Sequence, residues 1–190
     1  MRARRYVQMT WAAVLGLALT VLSPWAWAVD PPPPPAPDPP VPAVGRAWPV
    51  ATHPTVLRGW EPPATVYGRG HRGVDLAAPA GTPVRAVAAG RVSFAGRVAG
   101  RGVISVQVTD TNLRTTYEPV RASVREGDEV TPGEVVGTVE PTGSHCPVTC
   151  VHWGLLRGET YLDPLSLLPP WLLNTGPSRL LPVLGVPLPS

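Results

Sequence analysis

An all-β domain, either a sandwich or a partly open barrel, is the fold class this sequence predicts for residues 46–168, on three observations. Six short runs carrying β-branched and aromatic residues recur between positions 84 and 155. Turn sequences built on Gly, Pro, Asp and Asn separate them. No window long enough for a sizeable helix lacks Gly or Pro, and either residue is costly in a helix interior.

In chain order, the first run is Val84 to Ala88, closed by Ala89-Gly90. Arg91 to Phe94 follows, and Ala99-Gly100 leads into Val103 to Val108. In that third run Ser105 and Gln107 fall on one face and Ile104, Val106 and Val108 on the other, the pattern of a sheet with one wetter face. Asp110-Thr111-Asn112 turns the chain into Leu113 to Tyr117. Glu126-Gly127-Asp128 and Thr131-Pro132-Gly133 precede Val135 to Val139, and Cys150 to Leu155 is the last run. Asp163-Pro164 then offers a capping residue ahead of a proline, the start of one short helical turn.

Residues 1–28 read as a secretory signal peptide. Arg2, Arg4 and Arg5 form a basic start, Trp11 to Leu22 an apolar core and Ala26-Trp27-Ala28 a small-x-small cleavage site. The expected location is therefore secreted or in the cell envelope. An uncleaved anchor is the rival, against which the shortness of the apolar run argues. Residues 29–45 form a Pro-rich linker whose segment from Asp30 to Pro42 reads DPPPPPAPDPPVP. Such a run favours polyproline II and acts as a stiff spacer; a ligand for an aromatic groove is the alternative. The tail, residues 169–190, has apolar runs too short and proline-rich to cross a bilayer, so no stable membrane span is expected after signal cleavage.

Charge excludes one class of partner. The chain has 16 basic and 13 acidic residues, and three of the arginines lie in the signal segment, which leaves 13 against 13. A neutral remainder with no basic stripe predicts no nucleic-acid binding. All basic residues are arginine, with no lysine anywhere.

His71 and Asp75 stand four positions apart in Gly70-His71-Arg72-Gly73-Val74-Asp75. The surrounding glycines argue for an irregular extended segment over a helix. With a second imidazole, His152, the pair would make a three-ligand zinc site with one position open to water. A histidine oriented by an aspartate in a surface loop is the plainer reading of His71 and Asp75 alone.

These residues also carry a resemblance. His71-Arg72-Gly73-Val74-Asp75, followed by Leu76-Ala77-Ala78-Pro79-Ala80-Gly81-Thr82-Pro83-Val84, resembles the lysostaphin/LytM-type zinc metallopeptidases, which cut peptide cross-bridges of bacterial cell walls. Ala89-Gly90-Arg91-Val92, Gly127-Asp128-Glu129-Val130, Gly133, Val136-Gly137 and Val151-His152-Trp153-Gly154 match further on. The resemblance covers roughly His71 to Arg157 and implies a duplicated hybrid motif, or barrel-sandwich hybrid, with zinc at the floor of a peptide groove. It puts the three Zn²⁺ ligands on His71, Asp75 and His152. Two other family positions differ: the histidine of a Tyr-x-His motif is Pro119, after Tyr117 and Glu118, and the first histidine of His-x-His is Cys150. The family histidines at those positions are thought to activate water and stabilise the oxyanion.

Cys146 and Cys150 are the only cysteines, with three residues between them in a chain read as exported, so a disulfide is their simplest fate. A structural zinc site of Cys146, Cys150 and His152 is the rival. His145 is the one histidine left to serve as a catalytic acid or base; a solvated loop histidine is its alternative. Glu118, in a strand, should face away from Tyr117 and Pro119, and His53 reads as a loop residue. Tyr117 and Trp153 are candidates to line the substrate groove, although strand aromatics are often simply packed.

The implied function is an exported zinc endopeptidase acting on peptidoglycan peptides. The alternative is a catalytically degenerate domain of the same fold that binds wall peptide or regulates another cell-wall hydrolase. A third reading starts from Val124 to Gly133, which resembles part of a biotinyl or lipoyl carrier. Such carriers attach their cofactor to lysine, and this chain has none.

Overall fold

Eleven β-strands and two short helical turns make up the described part of the computed structural model, which comprises residues 38–65 and 67–173. The expected signal peptide, the expected linker up to residue 37 and the tail from residue 174 lie outside the described residues. The strands are β1 (Val56–Arg58), β2 (Val74–Ala77), β3 (Pro83–Arg85), β4 (Gly90–Val98), β5 (Arg101–Val108) and β6 (Leu113–Glu118). They continue as β7 (Val120–Ala122), β8 (Glu129–Val130), β9 (Val135–Val139), β10 (Cys150–Arg157) and β11 (Thr160–Leu162).

Two open antiparallel sheets result. The eight-stranded sheet runs β1-β2-β10-β6-β5-β4-β8, with β11 also paired to β10; the three-stranded sheet runs β3-β9-β7. The all-β expectation holds. Each of the six expected runs contributes a strand, with β4, β5 and β10 longer than expected and β3 shifted to Pro83–Arg85. Strands β1, β2, β7, β8 and β11, of two to four residues, were not anticipated.

One core takes side chains from both sheets, including Val84 of β3, Val136 of β9, Ile104 of β5 and Leu155 of β10. Each such fully buried side chain contributes roughly 1.5–3 kcal/mol. β10 is buried on both faces over Val151 and from Trp153 to Leu156, as a central strand covered on two sides must be. The wet-face expectation for β5 fails at Ser105, which is buried and shares a 3.1 Å hydrogen bond with Ser93 across the β4–β5 pair. A hydroxyl with a partner can be buried at little cost.

The helical turn expected at Asp163-Pro164 forms over Pro164–Leu167, with Asp163 Oδ1 accepting from the Leu165 N–H at 2.9 Å. The first residues of the tail pack on the domain: Pro170–Leu173 forms a short helix and the Leu172 carbonyl accepts from Trp48 Nε1 at 3.1 Å. The last linker residues do the same, since Val41 and Val44 pack on the core and Gly45 N–H donates to the Leu167 carbonyl at 2.8 Å. The folded unit therefore starts a few residues before position 46. No helix among the described residues is long and apolar enough to cross a membrane.

Candidate metal centre

Asp75 and His152 meet because β2 and β10 pair in a register that sets them directly opposite one another. His71 arrives from just ahead of β2, where its backbone exchanges hydrogen bonds of 2.9 and 3.1 Å with Glu61 in an isolated bridge. One glycine between them is needed for space. A Cβ on Gly73 would stand 2.4 Å from the Trp153 carbonyl oxygen and 2.6 Å from His152 Nε2, so only hydrogen leaves room for that strand and its ring.

Asp75 Oδ1 lies 3.1 Å from His71 Nε2 and 2.8 Å from His152 Nδ1, and the two nitrogens are 3.2 Å apart. His145, from the loop between β9 and β10, brings Nε2 to 3.0 Å from both Asp75 oxygens. The four donor atoms all lie within 4.8 Å of one another. Asp75 and His71 are buried, His152 is partly buried, and the His145 side chain is 39% exposed.

Protons at this cluster follow from its hydrogen bonds. His71 Nδ1 donates to the Gly59 carbonyl at 2.6 Å. A carbonyl can only accept, so Nε2 of the neutral ring turns its lone pair toward the carboxylate. Two electron-rich atoms then face each other at 3.1 Å, which calls for a cation between them, either a second proton on His71 or a metal ion. The donor set suits zinc in kind, as neutral imidazole and carboxylate. It also suits zinc in spacing, because tetrahedral bonds of about 2.0–2.1 Å give donor–donor edges of about 3.3 Å. Burial by itself would raise the Asp75 carboxyl. Hydrogen bonds from His152 and His145, with positive charge on His145 and His71, outweigh burial and hold the group below the ordinary carboxylate range. Asp75 is thus ionised, as a ligand must be.

Cys146 and Cys150 are joined by a disulfide, with S–S at 2.05 Å and Cα atoms 6.1 Å apart. That removes the alternative of a structural Cys–Cys–His zinc site, because both sulfurs are bonded to each other. Glu118 pairs with Arg101 at 3.4 Å, and His53 is an exposed loop residue.

Tyr117 and Trp153 do not line a groove, which corrects the expectation for both. Each has 0% exposure. Trp153 Nε1 donates to Thr115 Oγ1 at 2.7 Å, and the Tyr117 hydroxyl accepts from the Val87 N–H at 3.2 Å. Burial pushes the Tyr117 phenol up to about 12. Trp60 and Tyr161 border a cleft instead. With Pro62, Pro63, Arg72 and Glu159 they line a cleft of about 430 Å³ formed by segments flanking His71 and by the β10–β11 turn. The Arg72 guanidinium sits 5.8 Å from the centre of the Tyr161 ring.

Comparison with known proteins agrees with this geometry. The model for "Peptidase family M23" matches residues 69–164, which spans all four clustered side chains. The chain belongs to peptidase family M23. An uncharacterized protein of Mycobacterium tuberculosis is 40% identical over 141 residues, 72% of this chain and 54% of that protein. This M23 chain thus spans about half the length of the curated relatives it matches first. The DD-carboxypeptidase/endopeptidase Mpg of Neisseria meningitidis is 43% identical over 74 residues, 38% of this chain and 17% of its own. Among solved structures, the catalytic domain of the antimicrobial peptidase lysostaphin from Staphylococcus simulans superposes with a TM-score of 0.53 at 26% identity. That alignment covers 64% of this chain and 93% of the lysostaphin domain. The M23 fold and family resemblance stand; at the two positions where the resemblance expects further histidines, this chain has Pro119 and the disulfide-bonded Cys150.

Proposed function

We propose that this chain is an exported, zinc-dependent peptidase-like domain of the cell envelope that hydrolyses peptide bonds in peptidoglycan cross-links. The observation that carries the reading is the convergence of His71 Nε2, Asp75 Oδ1 and His152 Nδ1, each within 3.2 Å of the next. A zinc ion held there would supply a Lewis acid for the scissile carbonyl and a strongly acidified water.

The chain's own residues do the rest. The Gly59 carbonyl orients His71, and Gly73 leaves room for His152. The cleft between Trp60 and Tyr161 lies beside the His71 segment and would receive part of the peptide, with Arg72 and Glu159 in its lining. His145 is the one imidazole in reach beyond the three ligands that the resemblance carries over, and when off the metal it could take up or return a proton; its Nε2 lies 3.0 Å from Asp75.

The test is release of new amino termini from cell-wall peptide by the zinc-loaded protein. His71→Ala and chelation are each expected to abolish release. Release that survives His71→Ala and chelation overturns the reading.

A second reading has its own observation. Pro119 offers no proton-carrying group and Cys150 is fully buried in a disulfide, so neither substitutes for a histidine. A domain that binds wall peptide, or regulates another cell-wall hydrolase, without cleaving would fit. Retention on peptidoglycan sacs with no new amino termini supports this second reading.

A further inference from the structure

Four donors meet at the centre, and one of them lies outside the ligand set that the family resemblance carries over. We propose that His145 is a fourth metal donor, delivered by the Cys146–Cys150 disulfide, so that the resting centre is closed. This rests on the reading that His71, Asp75 and His152 hold a divalent metal.

The geometry around Asp75 supports it. His145 Nε2 is equidistant, at 3.0 Å, from the two Asp75 oxygens. A simple hydrogen bond is better directed at one oxygen lone pair. The His145 ring stands 6.0 Å from His71 and 5.3 Å from His152, inclined by 72° and 64°, while His71 and His152 are inclined by 65°. No two rings stack. Each turns a nitrogen toward a shared point, and every donor lies within 4.8 Å of the others.

The loop that carries His145 is fastened for this purpose at both ends. The disulfide ties its neighbour Cys146 to Cys150, the first residue of β10 and two positions ahead of His152. Ser144 Oγ accepts the Cys146 N–H at 3.2 Å and touches Cys150 Sγ at 3.1 Å. At the other end Glu140 N–H donates to the Pro119 carbonyl at 3.1 Å. A tethered donor competes for the metal at a high local concentration, which water cannot match in geometry. A closed four-donor centre is the pattern of structural zinc; hydrolysis at this one starts only after His145 leaves, and its 39% exposure gives the ring somewhere to go.

X-ray absorption on the zinc-loaded full chain counts imidazoles around the metal. Three are expected in the wild type and two in His145→Ala, with zinc affinity in the variant lowered at least 10–100-fold, the order lost with even an outer partner. The Cys146→Ala/Cys150→Ala double variant is expected to lower zinc affinity about tenfold with the other three donors in place. Alanine is preferred to chemical reduction because freed thiols would lie within 4.8 Å of Asp75 and become donors themselves. Two imidazoles around zinc in the wild type overturn the proposal and leave the three-residue site standing. A wild type that takes up no zinc overturns both. An unchanged affinity in a folded double variant removes the part assigned to the disulfide, and the His145→Ala count decides the rest whether or not that variant folds.

Discussion

Gly73 shows how finely single positions set this centre. Its missing side chain is the space in which the His152 ring sits, and a Cβ would press on Nε2 at 2.6 Å. Gly73→Ala is expected to turn the ring, weaken zinc binding by about 10–100-fold and cost about 1–3 kcal/mol of stability. A zinc titration with a denaturation curve measures both. Trp153 makes the opposite case. As a fully buried donor to Thr115, it belongs to the core and not to any groove. Trp153→Phe removes one of the two buried hydrogen bonds of Thr115 Oγ1, which still donates to the Gly154 carbonyl at 3.1 Å, and is expected to cost about 0.5–1.5 kcal/mol while leaving KM for a wall peptide unchanged. A raised KM with unchanged stability would return Trp153 to the groove.

At the scale of elements, the sheets are tied together by Glu140 at the end of β9. It accepts from Arg97 of β4 at 2.7 Å and from the Gly102 N–H of β5 at 3.1 Å. Burial would raise its carboxyl, but the bonds from Arg97 and Gly102 outweigh burial and lower it from its ordinary 4.5. The sign follows. With the folded value below the unfolded one, the stabilisation is full above pH 4.5 and is lost as pH falls through the lower folded value. Acid unfolding curves for the wild type should steepen in that range, and Glu140→Gln should flatten them. The variant should cost about 1 kcal/mol at neutral pH, a modest figure because the Arg97 side chain is 59% exposed.

Much of this layer was legible in the sequence. Alternation and turn residues located the six longer runs, and the grouping of His71, Asp75 and His152 was anticipated through the motifs that carry the family resemblance. Strands such as β8, with two residues, carry no period to read. Alternation also failed at β10, where both faces are covered, so it could not tell that Trp153 points inward. His145 lies in a loop, where nothing local says which way a ring turns. Its place at Asp75 depends on a register between strands more than seventy residues apart.

At the scale of the whole molecule, a bound ion should act as a clamp on the fold. Zinc at about 100 times its Kd is expected to add about 2.7 kcal/mol and raise Tm by on the order of 10 °C. Calorimetry with and without chelator measures it, and His71→Ala should abolish the difference. Of the Pro-rich segment, the described residues Val41 and Val44 pack against the core.

The pairing of Asp75 with His152 has one more outcome. Neighbouring ligands such as His71 and Asp75 can come together early in a growing chain, but the third is supplied only when β10 has been made and has found β2. A half-made chain would therefore offer an ion two weak holds and no pocket. If the centre holds a metal, whichever compartment sees this strand slot home is the one whose supply of free metal ions would decide how many copies are loaded.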